Sequence, residues 1–108
     1  MRIDRYISSN RIIDLTSKDL NSAYAELVQT FDTLLPTAPK RKKVLNELVE
    51  RETALTSYIG EGVALPHARV QMNRPYALAV GRCPAGLAFE GKDSYEDIRF
   101  VFMFLANE

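Results

Sequence analysis

The sequence predicts an α/β domain, a β-sheet with helices packed on it. Two observations carry this. The order along the chain is strand, helix, helix, then several strands. One segment also repeats its apolar residues at helical spacing, whereas the last, Ile98 to Leu105, is apolar without alternation. At 108 residues the chain suits one domain, with no repeat, linker or low-complexity stretch.

The first strand is expected over Arg11 to Leu15. Thr16-Ser17-Lys18-Asp19 reads as a helix start, with a hydroxyl three residues before a carboxylate. Leu20, Ala23, Tyr24, Leu27, Val28, Phe31, Leu34 and Leu35 then mark one helical face, which Pro36 and Pro39 should end. A second helix is expected from about Lys40 to Glu52, with Val44, Leu45, Leu48 and Val49 as its stripe. Arg51 falls in its last turn, where a cation favours the helix dipole. Lys40-Arg41-Lys42-Lys43 reads as a solvated helix start.

After Tyr58-Ile59 the pattern becomes extended. Strands are expected at Val63 to Leu65 and at Tyr76 to Arg82, joined by a connection over Ala68 to Pro75. Ala85 to Phe89 reads as a short strand or turn, and Glu90 to Asp97 as a polar turn. Ile98 to Leu105 should be a central strand covered on both faces.

Fourteen basic and fourteen acidic side chains cancel, which gives no support for a nucleic-acid partner. Cys83 is the single cysteine and His67 the single histidine. An internal disulfide and a Cys/His zinc site are thereby excluded. Cys83, in an apolar run, reads as a small buried side chain rather than a nucleophile. No signal peptide is visible and no apolar run approaches membrane-spanning length. No membrane insertion is expected, and the chain reads as cytoplasmic.

The chemistry concentrates in Gly60-Glu61-Gly62-Val63-Ala64-Leu65-Pro66-His67-Ala68-Arg69. Neutral imidazole is nucleophilic near pH 7 and can carry a phosphoryl group on nitrogen. Gly60 and Gly62 permit unusual dihedrals and leave room. Pro66 fixes the direction in which the ring leaves the chain. Arg69 and Arg51 offer forked donors for phosphate oxygens, and Thr56 and Ser57 add hydroxyls. Spacing alone leaves two readings open: a phosphate site, or a satisfied turn histidine with Arg69 as a surface charge. The Gly-x-Gly is not a dinucleotide fingerprint, and no P-loop or serine or cysteine triad motif is present.

Arg51-Glu52, followed by Leu55 through Arg69, resembles the enzyme IIA domain of the fructose/mannitol type, from the bacterial phosphoenolpyruvate-dependent sugar phosphotransferase system (PTS). The family pattern is Arg-Glu, a gap, then Thr-Gly-Ile-Gly-x-Gly-Ile-Ala-hydrophobic-Pro-His, and this chain carries Ser57-Tyr58 where Ser/Thr-Gly is usual. Ser17-Lys18-Asp19, Gly86-Leu87-Ala88-Phe89, Asp93 and Ile98 to Leu105 extend the resemblance over almost the whole chain. It implies a mixed β-sheet flanked by helices. It implies a phosphoryl carrier in which His67 takes phosphate from the histidine phosphocarrier HPr and passes it to an enzyme IIB domain, with Arg51 stabilising charge. Thr56, Gly60, Gly62 and Arg69 are the expected supporting residues. No metal or other cofactor is implied, because the donor is phosphohistidine. Nitrogen-regulatory relatives would use the same histidine to control protein partners, and a non-catalytic domain would keep the fold without transfer. The family usually continues into a C-terminal helix with a second histidine, so residues 1–108 are expected to be a truncated domain.

Overall fold

Among the described residues, six strands form one sheet in the order β1-β5-β6-β3-β2, with β4 also on β6. They are β1 Ile12–Asp14, β2 Tyr58–Gly60, β3 Val63–Ala64, β4 His67–Val70, β5 Tyr76–Leu87 and β6 Ile98–Asn107. The helices are α1 Leu20–Gln29 and α2 Ala38–Ala54. This computed structural model describes residues 2–87 and 98–108. The expected polar turn from Glu90 to Asp97 and the motif residues Ala88, Phe89 and Asp93 lie outside them. The sheet is mixed: β1 is parallel to β5, β3 and β4 are parallel to β6, and the β5–β6 and β2–β3 pairs are antiparallel. The α/β class and mixed sheet are those expected.

Several boundaries differ, each for a local reason. Asp19 is itself the N-cap of α1, accepting from Ser22 N at 2.9 Å, so the start is not capped by Thr16. Thr16 and Ser17 instead donate their backbone N–H groups to Glu26. The helix stops at Gln29, short of the expected Leu35, as Thr30 Oγ1 bonds back to Leu27 O at 2.7 Å. Tight turns then continue to Leu35. They preserve roughly helical spacing, which is why Phe31 and Leu35 remain buried beyond the helix. Pro39 does not terminate α1. It stands in the first turn of α2, behind the N-cap Thr37, where a missing N–H costs nothing.

Two expectations about the strands are corrected. The connection proposed from Ala68 begins later, because His67–Val70 pairs with Phe104–Asn107 as strand β4. The described residues do not cover β6 fully on both faces. Val101, Met103 and Leu105 are buried, while Phe100 is exposed and Phe102 and Phe104 are half-buried. The described helices both pack on one side, where Leu20, Leu27, Phe31, Val44 and Leu48 meet Ala77, Ala79, Val101, Met103 and Leu105. On the other side, Tyr76 packs against Phe104 and Tyr6, with ring centroids 5.3 and 5.4 Å apart. Arg11 ties that N-terminal segment down: its buried guanidinium donates to Leu78 O at 2.9 Å and Tyr6 O at 3.1 Å. β5 is longer than expected and takes in Ala85 to Leu87 after a shift in register. Cys83 is buried, as expected.

The arrangement around β6 positions the site. Residues 63 to 70 follow one edge of β6 in two pieces, β3 and β4, interrupted at Leu65-Pro66. Proline has no N–H to give a neighbouring strand. Leu65 N turns outward to Ser57 O at 2.9 Å, and Pro66 O accepts from Phe104 N at 2.9 Å. The Ser57–Gly60 segment borders the chain as far as Leu65. Beyond that point β4 is the outer strand among the described residues, and its first residue is His67.

Candidate functional site

His67 is exposed at the start of β4, with the backbone behind it pinned by the two bonds from Leu65 and to Pro66. Burial alternates along β4: His67 and Arg69 are exposed, Ala68 and Val70 buried. The imidazole therefore projects from the face opposite the core and costs little to keep accessible.

The last turn of α2 delivers the second group. Arg51 Nη1 lies 3.3 Å from His67 Nε2. Its Nε donates to Glu47 Oε1 at 3.2 Å, an i,i+4 pair that restrains the guanidinium from the helix side. Arginine has donors and no acceptor, so Nε2 must be the accepting nitrogen in this contact. The neutral ring then carries its proton on Nδ1 and a lone pair on Nε2.

Between helix end and strand start lies an open cavity of about 290 Å³, lined by Leu48, Arg51, Glu52, Thr56, Pro66 and His67 among others. Three expected site residues, His67, Arg51 and Thr56, meet there. Gly60, Gly62 and Arg69 do not line it. Gly60 and Gly62 shape the β2–β3 hairpin, with φ of 98° and 75°, and Glu61 between them has φ of 58°. Arg69 stands two residues along β4 on the exposed face, in no ion pair among the described residues.

Glu52 forms part of the cavity wall although the sequence did not single it out as a site residue. Its carboxylate accepts from Thr56 Oγ1 at 2.6 Å, Tyr24 OH at 2.7 Å, Ser57 Oγ at 2.7 Å and Ser57 N at 3.1 Å. Burial works to raise its pKa, but the bonds from Thr56, Tyr24 and Ser57 outweigh it and hold the carboxyl below its ordinary value. The fully buried Tyr24 phenol is pushed well up, by burial first, and stays a donor at any working pH. One signal could have pointed to Glu52: it is a carboxylate in the last helical turn, where the dipole disfavours negative charge. Tyr24 carried no such signal, since its spacing marks it simply as core.

Among the described residues no three His, Cys, Asp or Glu side chains gather closely enough to hold a metal ion. Among the described residues no helix is long and apolar enough to cross a membrane.

The fold and the site define a mixed α/β domain with an exposed imidazole and an arginine on one of its ring nitrogens at a strand start. Residues 7–108 match the family described as "Phosphoenolpyruvate-dependent sugar phosphotransferase system, EIIA 2", and the chain belongs to that family. It is 30% identical over 112 residues to the PTS system fructose-specific EIIABC component of Bacillus subtilis (strain 168), covering 100% of this chain and 17% of that one. The chain thus spans about a sixth of that relative's length. Among solved structures it is similar to the nitrogen regulatory protein IIA-Ntr from Neisseria meningitidis, with a TM-score of 0.81, 20% identity, and coverage of 98% of this chain and 71% of that one. It is also similar to a chain in the Escherichia coli complex of enzyme IIA-mannitol with phosphorylated enzyme IIB-mannitol. There the TM-score is 0.70 and the identity 16%, over 93% of this chain and 69% of that one.

Proposed function

We propose that this EIIA-type domain is a phosphoryl carrier, accepting phosphate on His67 from a phosphohistidine protein of the HPr type and passing it to an enzyme IIB domain. The observation that carries this is the 3.3 Å contact between Arg51 Nη1 and His67 Nε2 at the exposed strand start. The Nε2 lone pair attacks phosphorus in line with the donor ring. The bond from phosphorus to the donor nitrogen breaks as the bond to Nε2 forms, and the electron pair returns to the donor ring. Nδ1 keeps its proton throughout, as does the matching nitrogen of the donor, so no further reactant is needed.

Arg51 leaves Nε2 at this moment and presents its fork to the phosphoryl oxygens, where charge accumulates. The chemistry asks little of the protein beyond position and charge. Arg69, on the same face as the ring, supplies a further cationic contact to the arriving group, and Thr56, on the cavity wall, supports the site with its hydroxyl proton held by Glu52. Gly60 and Gly62 act at a remove, by setting the hairpin that leads into β3. The IIB partner is supported by the IIA–IIB complex among the structural neighbours, and the sugar-uptake branch by the fructose-specific relative.

The test is incubation with phosphoenolpyruvate, enzyme I and HPr, followed by intact-mass measurement. An acid-labile gain of one phosphoryl group that His67→Ala abolishes is expected. No gain, or a gain that survives His67→Ala, refutes the proposal.

A further inference from the structure

Near the end of helix α2, Arg51 and Glu52 are adjacent charges of opposite sign, and Arg51 is the one that reaches His67. We infer that Glu52 is a positioning residue for the Arg51–His67 pair, acting through the segment from Thr56 to Ser57; the inference rests on the phosphoryl-carrier reading above.

Three observations combine. Glu52 stands in the last turn of α2, where a carboxylate opposes the helix dipole, so its place is not explained by helix stability. Its two oxygens are instead occupied by four donor groups from three residues: the Tyr24 phenol, the Thr56 hydroxyl, and the Ser57 hydroxyl and N–H. Finally, the held segment connects directly to the histidine. The carbonyl of Ser57 accepts from Leu65 N at 2.9 Å, and Leu65 and Pro66 are the residues that aim His67.

One carboxylate therefore fixes both ends of the contact. Through the helix backbone it is rigidly linked to Arg51. Through Ser57 and Leu65 it is linked to the strand start that carries the imidazole. Tyr24, fully buried in α1 and also 2.9 Å from Ser57 Oγ, anchors the cluster to the core. A bare helix cap would need only one of these bonds. Charged acceptors form the stronger hydrogen bonds, so an amide at this position would hold the segment more loosely and would set its own donors against four others.

The test uses the 108-residue chain and phosphoramidate, a small donor whose P–N bond breaks with release of ammonia, so no protein partner intervenes. Labelling of wild type that His67→Ala abolishes upholds the carrier reading independently of Glu52; its absence counts against that reading. The positioning role is read separately, from the His67 ring-nitrogen chemical shifts in the unlabelled, neutral protein. Wild type should show the Nδ1–H form, and Glu52→Gln should move it toward a mixture of tautomers. At saturating donor the labelling rate of Glu52→Gln should fall roughly tenfold, with half-saturation changed less, because small misplacements act on rate.

The loss should also be much smaller in an Arg51→Lys background, since both changes act on one contact. Unchanged ring-nitrogen shifts in folded Glu52→Gln, or a rate loss equal in both backgrounds, overturn the proposal. Should Glu52→Gln not fold, Ser57→Ala, which keeps the carboxylate and removes one donor, is judged by the same criteria.

Discussion

Arg51 and His67 are 16 residues apart in the chain, yet Arg51 Nη1 and His67 Nε2 are separated by 3.3 Å. One comes from a helix end and the other from a strand start, and the guanidinium selects which ring nitrogen keeps its lone pair. On the phosphoryl-carrier proposal, truncating the arginine removes the group offered to the phosphoryl oxygens. Arg51→Ala should slow phosphorylation of His67 on the order of a hundredfold, the usual loss for one donor aimed at developing charge. Its ion pair with Glu47 is exposed, so the thermal midpoint should barely move. Quench-flow mass measurement and a melting curve check the two halves.

Gly60 lies outside the cavity but has φ of 98°, and a Cβ there would meet nothing within 4 Å. The penalty for Gly60→Ala is therefore conformational, about 1–2 kcal/mol. Denaturant unfolding should show that loss while the labelling rate at His67 stays within a factor of about 2, a difference below 0.5 kcal/mol. A large rate loss at unchanged stability would place the glycine in the site itself.

Gly81 has a different constraint. A Cβ on it would stand 2.7 Å from Leu15 Cδ1 and 2.8 Å from Leu15 Cγ, so α1's approach segment and β5 are packed too closely for a methyl group. Gly81→Ala should destabilise by about 1–3 kcal/mol, and Leu15→Ala should recover part of the loss. Additive losses in the double variant would show that the clash is not the cause.

Acid should weaken the fold in a defined direction. Burial works to raise Glu26, but bonds from Ser17 and Thr16 prevail and lower its pKa; Glu52 is lowered in the same manner by Thr56, Tyr24 and Ser57. A folded-state pKa below the unfolded one contributes stability above the unfolded value. That stability is lost as pH falls through the folded one. The melting temperature should thus hold from pH 7 to about 5 and fall below about 4, the ordinary range of glutamate. Glu26→Gln should flatten that fall, and an equally steep curve in the variant would refute this assignment.

Much of the fold was legible because it rests on local pattern. The stripe from Leu20 to Val28 and the run from Ile98 to Leu105 each named their element, since burial of one face imposes a period that sequence displays directly. The misreadings arose where two local signals coincided. Pro39 can end one helix or begin the next, and only the Thr37 cap, bonding Lys40 N at 3.4 Å, decides between them. The Phe100-Val101-Phe102-Met103 run hid its alternation, because residues on both faces are apolar.

For the site, the sequence by itself determined the candidate nucleophile and its setting: a single histidine behind a proline, and an Arg-Glu pair upstream. Those are identities, and the Pro-His block states them without any fold. Tertiary structure alone decided which residues meet. It brought Arg51 and Thr56 to the His67 cavity and left Gly60, Gly62 and Arg69 outside it. It also converted Glu52 from half of a charged pair into the acceptor of four hydrogen bonds. The reason is physical: a helix end and a strand start become neighbours only when both pack against the same sheet, and no spacing along the chain encodes that distance.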